Sequence, residues 1–241
     1  MSGDKIRVVI VDDERLFAEL LRVALRGAEG IEVLAVAHDV RTAIAVLNEL
    51  RPDVVLADYH LPDGTGADLA RAIRGSLPDT AVLVLTADPS AVTLNDVARS
   101  GAVGHLTKER GFAEVVESVR SAAAGEILFA PSELQRLLLE SAATRKEIEP
   151  LTARELEVLR LLAGGTSTSS AAESLGISTA TLRAHVQAVL RKLGAHSRLE
   201  AVAEAARLGL VTLESWTRER PSPPRGGEVV GGIRPPSPER P

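Results

Sequence analysis

Five residues have the types and spacing to act on one centre: the adjacent pair Asp12-Asp13, then Asp58, Thr86 and Lys108. Each stands at the end of a short, apolar, β-branched run. Carboxylates held together repel one another. A hard divalent cation, most naturally Mg2+, relieves this by taking oxygen ligands in octahedral geometry while keeping waters and a substrate phosphate. A carboxylate beside such an ion can attack phosphorus, a reaction that needs positioning and charge neutralisation around the equatorial oxygens. The short hydroxyl of Thr86 and the long-stemmed ammonium of Lys108 would supply that neutralisation. Taken singly, each residue has an ordinary explanation, since an Asp after a strand often caps a helix and a Lys there is usually solvated. The case for chemistry is the set as a whole.

The elements that must position these residues lie between positions 6 and 123. The runs IRVVIV, IEVLAVA, DVVLAD, AVLVLTA and AVGHLT alternate with helical patterns, which makes five βα units. Unbroken apolarity in IRVVIV and AVLVL marks strands buried on both faces, hence a parallel sheet covered by helices. The fold class expected is α/β, a flavodoxin-like doubly wound five-stranded parallel sheet, followed by a small all-α four-helix helix-turn-helix domain. In the strand order 2-1-3-4-5 the first and third strands flank the crevice beyond their carboxyl ends, so Asp12, Asp13 and Asp58 would converge there.

Beyond this unit the pattern changes. Residues 125–146 read as a polar interdomain linker, with one helix expected near Ser132 to Ala142. From residue 147 to 213 strands vanish and four helical segments follow: LTARELEVLRLLAGG, then about 167–175, 178–193 and 198–208. The last residues, 217–241, are rich in Pro and Gly and are expected to be disordered.

Composition bounds the partners. The net charge of -5 argues against a uniformly basic coat, but from Gly176 to Arg198 the only formal charges are Arg183, Arg191, Lys192 and Arg198. Aromatics are 2%, which leaves few platforms for base stacking, and the absence of Cys removes disulfides and thiolate metal sites. No run approaches the ~18 apolar residues of a membrane span or a signal-peptide core, so a cytoplasmic protein with no membrane partner is expected.

In SAAESLGISTATLRAHVQAVLRKLG, Gly176 breaks the chain and Ser178 can cap the next helix. Leu182, Val186, Val189 and Leu193 form its apolar stripe, and Arg183, Ala184, Gln187 and Arg191 lie on the other face. Arg can read guanine edges and Gln adenine edges, while Thr181, Arg191 and Lys192 could hold phosphates in a major-groove complex. A plain surface helix would show the same amphipathic pattern.

Over roughly residues 5–124 the chain resembles the receiver domain of response regulators. The resemblance is carried by Asp12-Asp13, by Asp58 with LPDGTG at Leu61 to Gly66, by Thr86-Ala87 and by Lys108. It implies that Asp58 is the phosphoacceptor, that Asp12, Asp13, Asp58 and the His60 carbonyl hold Mg2+, and that Thr86 and Lys108 bind the phosphoryl group. The donor would be a sensor histidine kinase. Residues 147–213 resemble the LuxR-type helix-turn-helix, and the combination resembles the NarL/FixJ class of two-component response regulators. That resemblance implies a phosphorylation-controlled transcriptional regulator rather than an enzyme. Arg183, Ala184 and Gln187 would face the bases of promoter DNA, and Leu199, Val202, Ala203 and Ala206 would join a homodimer on activation.

The chain departs from the family pattern in two places. His105 stands where Tyr or Phe usually serves, with Thr86, as the switch side chain; it reads as a planar substitute, or more sharply as a group whose titration biases the switch. Thr168-Ser169-Ser170-Ala171 replaces the common Asn-Lys-Glu-Ile and lowers helix propensity there. A His60-Asp88 pair would border the phosphoryl group and set its lifetime. Two other readings stand beside this one. A regulator acting on DNA or a protein independently of phosphorylation is one, and a Mg2+-dependent phosphohydrolase is the other. The second usually needs acids two residues apart on the first strand, where this chain has adjacent ones.

Overall fold

The computed structural model describes residues 5–87, 90–130, 133 and 149–211. The expected helix near Ser132 to Ala142, Asp88 and the tail from 217 lie outside the described residues, apart from Glu133, which is helical and buried.

Strands β1 (Ile6–Val11), β2 (Ile31–Ala37), β3 (Val54–Asp58), β6 (Ala81–Thr86) and β7 (Gly104–Thr107) form one parallel sheet in the order β2-β1-β3-β6-β7. The register sets the ends of the strands level. Val11 pairs with Ala57, Asp58 with Leu85, and Thr86 with Thr107. The residues that follow or end these strands, Asp12, Asp58, Thr86 and Lys108, therefore emerge side by side along one edge.

Alternation within the strands explains why both faces are apolar. Val9, Val11, Val55, Ala57, Val82 and Val84 face the side of α2 (Val40–Leu50), α3 (Gly66–Ile73) and α4 (Ala91–Ser100). Val8, Ile10, Val54, Leu56, Leu83 and Leu85 face α1 (Arg15–Arg26) and α5 (Phe112–Ala123).

After Asp58 the LPDGTG motif folds as a small hairpin, β4 (His60–Leu61) and β5 (Gly64–Thr65), that the sequence did not announce. Thr65 then caps α3 in a reciprocal box with Asp68. Gly66 is required: a Cβ there would sit 2.5 Å from the Asp58 carbonyl oxygen.

The start of the linker is less polar than expected. Leu128 bridges in parallel to Gly104 and its N–H donates to the Val103 carbonyl at 2.6 Å, while Ile127 and Phe129 are buried. The apolar triplet Ile127-Leu128-Phe129 adds itself to the open edge of the sheet because β7 offers unpaired backbone groups there.

The C-terminal domain is four helices, α6 (Ala153–Ala163), α7 (Thr168–Ser174), α8 (Thr179–Leu193) and α9 (Arg198–Arg207). Each begins with a hydroxyl cap: Thr152, Ser167, Ser178 and Ser197 accept from the third residue onward. Thr168 opens α7 as an interior residue, and the serines after it are exposed. The apolar core of this domain runs on into that of the α2–α4 side of the sheet.

Candidate phosphoryl-acceptor site and nucleic-acid interface

At the carboxyl edge of the sheet the Lys108 ammonium lies 3.0 Å from Asp58 Oδ2, 3.0 Å from Asp12 Oδ2 and 2.8 Å from Glu14 Oε1. Phe17 of α1 backs it, with Nζ 4.7 Å from the ring centroid. Asp12 and Thr86 are fully buried and Asp58 nearly so. Burial pushes the Asp12 and Asp58 carboxyls up, against the pull of Lys108; their neighbours add to the rise, Asp58 acting on Asp12 and Asp13 on Asp58. Burial works against the Lys108 ammonium, yet hydrogen bonds to Glu14 and Asp58 and the charge of Asp12 raise its pKa on balance.

This arrangement fits a divalent cation. Asp12 Oδ2 is buried with the Lys108 cation as neighbour but no well-formed hydrogen bond, and ligand oxygens of Asp12, Glu14 and Asp58 come within 4.8 Å of one another. The expected set differed: Asp13 is exposed at the rim, outside that trio, and Glu14 stands in it. Sequence reasoning missed Glu14, although the run of three acids, Asp12 to Glu14, was the available signal. His60 is exposed, and its backbone N–H donates to the Asp58 carboxylate. The other half of the His60-Asp88 pair lies outside the described residues. Next to the acceptor, Tyr59 donates to Asp96 of α4 at 3.2 Å, and Arg71 of α3 pairs with the same carboxylate.

His105 projects from β7 into a largely enclosed place, its ring 5.9 Å from that of Phe129 and its Nδ1 3.5 Å from Glu133. Burial, helped by the Arg110 charge, lowers its pKa to about 4. The imidazole is therefore neutral around pH 7, which supports the planar-substitute reading over the titrating one.

In the C-terminal domain Leu182, Val186, Val189 and Leu193 of α8 are buried, as the stripe required, and Thr181, Ala184, Gln187 and Arg191 are exposed. Arg183 Nε lies 3.4 Å from Asp79 Oδ1 of the sheet domain, and Gln187 borders the same cleft between the domains. Lys192 pairs with Glu155 at 2.7 Å and donates to the Pro150 carbonyl, so its charge serves the fold of its own domain. Leu199, Val202 and Ala203 are buried inside the chain and Ala206 is half-buried. The dimer face expected from them is not free in this conformation: Leu199, Val202 and Ala203 belong to the core on which α9 packs.

The domains meet through short contacts. Thr168 N–H donates to the Ala124 carbonyl at 2.8 Å, Arg198 Nη1 to the Gly125 carbonyl at 2.5 Å and to Thr168 Oγ1 at 3.1 Å, and Arg74 Nη1 to the His196 carbonyl at 3.1 Å. Gly125, at φ +81°, has no room for a side chain, since a Cβ would fall 1.9 Å from Thr168 Oγ1.

Comparison with known proteins agrees with this division. Residues 8–120 match the response regulator receiver domain, and residues 149–205 match the bacterial regulatory proteins of the luxR family. The uncharacterized transcriptional regulatory protein YxjL of Bacillus subtilis is 34% identical over 217 residues, covering 88% of this chain and 100% of that protein. The probable transcriptional regulatory protein NarL of Mycobacterium tuberculosis is 35% identical over 209 residues, covering 86% of this chain and 97% of that one. The solved signal receiver domain of that NarL superposes with a TM-score of 0.50 at 35% identity, over 51% of this chain and 99% of that one. A two-component response regulator of the LuxR family from Aurantimonas superposes with 0.51 at 28% identity, over 57% of this chain and 99% of that one. With the receiver fold, the acidic edge and the helix-turn-helix in place, the chain belongs to the two-component response regulators that join a receiver to a LuxR-type DNA-binding domain, the NarL/FixJ class.

Proposed function

We propose that Asp58 accepts the phosphoryl group from a histidine kinase and that this releases α8 for promoter DNA. The observation that carries the reading is the convergence of Asp12, Asp58 and Lys108 from three strand ends, with a buried carboxylate oxygen left without a good hydrogen bond. Asp12 and Asp58, with Asp13 or Glu14 and the His60 carbonyl, would hold Mg2+, which when bound neutralises charge on the phosphoryl oxygens. An Asp58 carboxylate oxygen attacks phosphorus, the N–P bond of the donor phosphohistidine breaks, and its electron pair returns to the imidazole. An acyl phosphate remains on Asp58. Lys108, released from the carboxylates, and Thr86 then bind the phosphoryl oxygens.

The new charge biases an element with two states. In the closed form described above, Arg183 is held by Asp79 and Gln187 borders the interdomain cleft. A displaced Thr86 and His105, acting on α4 and β7, would loosen that contact and let Arg183, Ala184 and Gln187 reach base edges, with Thr181 and Arg191 on phosphates. Dimerisation through Leu199, Val202, Ala203 and Ala206 would need α9 to give up part of its packing in its own domain as well, and two-fold symmetry then favours inverted half-sites. Among the described residues no helix is long and apolar enough to cross a membrane, in keeping with a cytoplasmic regulator.

Incubation with radiolabelled acetyl phosphate tests the acceptor. Wild type is expected to label in Mg2+ and not in excess chelator, and Asp58→Ala not at all, with duplex DNA affinity rising only in the labelled protein. Labelling of Asp58→Ala to the wild-type level would refute the assignment.

A further inference from the structure

The cleft between the two domains is cationic, and its chemistry is distinct from that of the acceptor edge. It holds a partly open cavity of about 80 Å3 lined among others by Arg74, Asp79, Arg183, His196 and Arg198. A single buried water needs about 10–15 Å3 of such space, so several waters, or one tetrahedral ion with a water, would fit. Three guanidiniums border it and one carboxylate. Asp79 meets Arg183 only at 3.4 Å and is itself largely exposed, while Arg74 and Arg198 form no ion pair among the described residues. Their neutral partners, the carbonyls of His196 and Gly125 and the Thr168 hydroxyl, satisfy one nitrogen of each.

Three guanidiniums facing one carboxylate leave an excess of positive charge in the cleft, and the planar fork of Arg matches phosphate and sulfate oxygens two at a time. Burial, and after it the charge of Arg183, lower the Arg198 pKa to about 10 against the pull of Asp79. We propose that this interdomain cleft binds one free tetrahedral oxyanion, inorganic phosphate or sulfate, between Arg74 of the receiver and Arg183 and Arg198 of the DNA-binding domain. The ion bridges the domains and so favours the closed form. Because Arg183 is also the residue set to meet DNA, the bound ion and the DNA compete for one side chain. The site depends on the closed arrangement but not on phosphorylation of Asp58, so either proposal can fail without the other.

Isothermal titration of the full-length, unphosphorylated protein with inorganic phosphate, at ionic strength held constant with chloride, tests it. The expected result is saturable binding of one ion, equal in wild type and in Asp58→Ala. Arg74→Gln and Arg198→Gln are each expected to weaken it at least tenfold, a loss of about 1.4 kcal/mol or more. If Arg198→Gln fails to fold, Arg74→Gln, which gives up only one bond to a carbonyl, decides alone. Glycerol 3-phosphate, which offers the guanidiniums one free oxygen fewer, is expected to bind at least tenfold more weakly than the free ion. The proposal is overturned by a linear, non-saturating heat, by unchanged affinity in Arg74→Gln, or by loss of binding in Asp58→Ala, which would move the ion to the acceptor edge. Equal binding of the ester would overturn the assignment to a free ion.

Discussion

The residues at the acceptor edge are held in a poised state by one lysine shared among three acids, while His105 is held in a neutral state by burial. The sign of the second effect is open to measurement. Folded His105 titrates at about 4 and an unhindered imidazole at 6.5, so between those values the unfolded chain binds the extra proton and stability rises with pH; above 6.5 the contribution is level. Urea unfolding of wild type between pH 4.5 and 7 should therefore show a steeper rise in stability than His105→Phe, and parallel curves would contradict the burial argument. For the same reason activation of His105→Tyr should follow wild type from pH 6 to 8, and divergence there would restore a titrating role. The acceptor residues were legible in the sequence because each ends a β-branched run, and strand ends are where a parallel sheet gathers ligands. Glu14 was not, since nothing in a helix-starting acid tells which way its side chain turns. The partners of Lys192 were equally hidden: an exposed-looking lysine near a helix end gives no sign of the buried Glu155 that claims it.

At the scale of elements, five strands and four C-terminal helices were readable from periodicity, caps and breakers. The hairpin β4–β5 and the linker segment laid along β7 were not, because each is decided by what it packs against. Gly66 links the two levels. Its place beside the Asp58 carbonyl predicts that Gly66→Ala forces the backbone of the acceptor loop to move, costing about 1–3 kcal/mol by chemical denaturation. It should also slow labelling by acetyl phosphate; an unaltered labelling rate would show that the loop yields without disturbing Asp58. The first helix of the C-terminal domain offers a second check. Glu155 is lowered to about 2 by the hydrogen bond from Lys192 and that from the Thr152 backbone, so its contribution is whole above the unfolded value of 4.5 and is lost as pH falls toward 2. Glu155→Gln should flatten the acid limb of the stability profile, while an unchanged limb would mean that Lys192 and Glu155 are not coupled in solution.

For the whole molecule, the relation between domains was the least legible feature, since it rests on backbone carbonyls and on one glycine whose importance only the fold reveals. Arg183 and Gln187 could be assigned to a recognition face from helical spacing; that the same face would border a receiver could not. Gly125→Ala should drive Thr168 away and open the cleft, so the unphosphorylated variant should bind duplex DNA several-fold more tightly than wild type by fluorescence anisotropy. Equal affinity would show that the interdomain contact does not restrain the DNA-binding domain. The strand that delivers Lys108 also carries the tether on its outer side, through Leu128 and the Val103 carbonyl. Any slip of that strand during signalling is thus handed to the chain leading out of the receiver as a pull along its length. The same seam closes the rim of the sheet to strand exchange with neighbouring molecules, so a regulator with a severed tether should be the one that clumps.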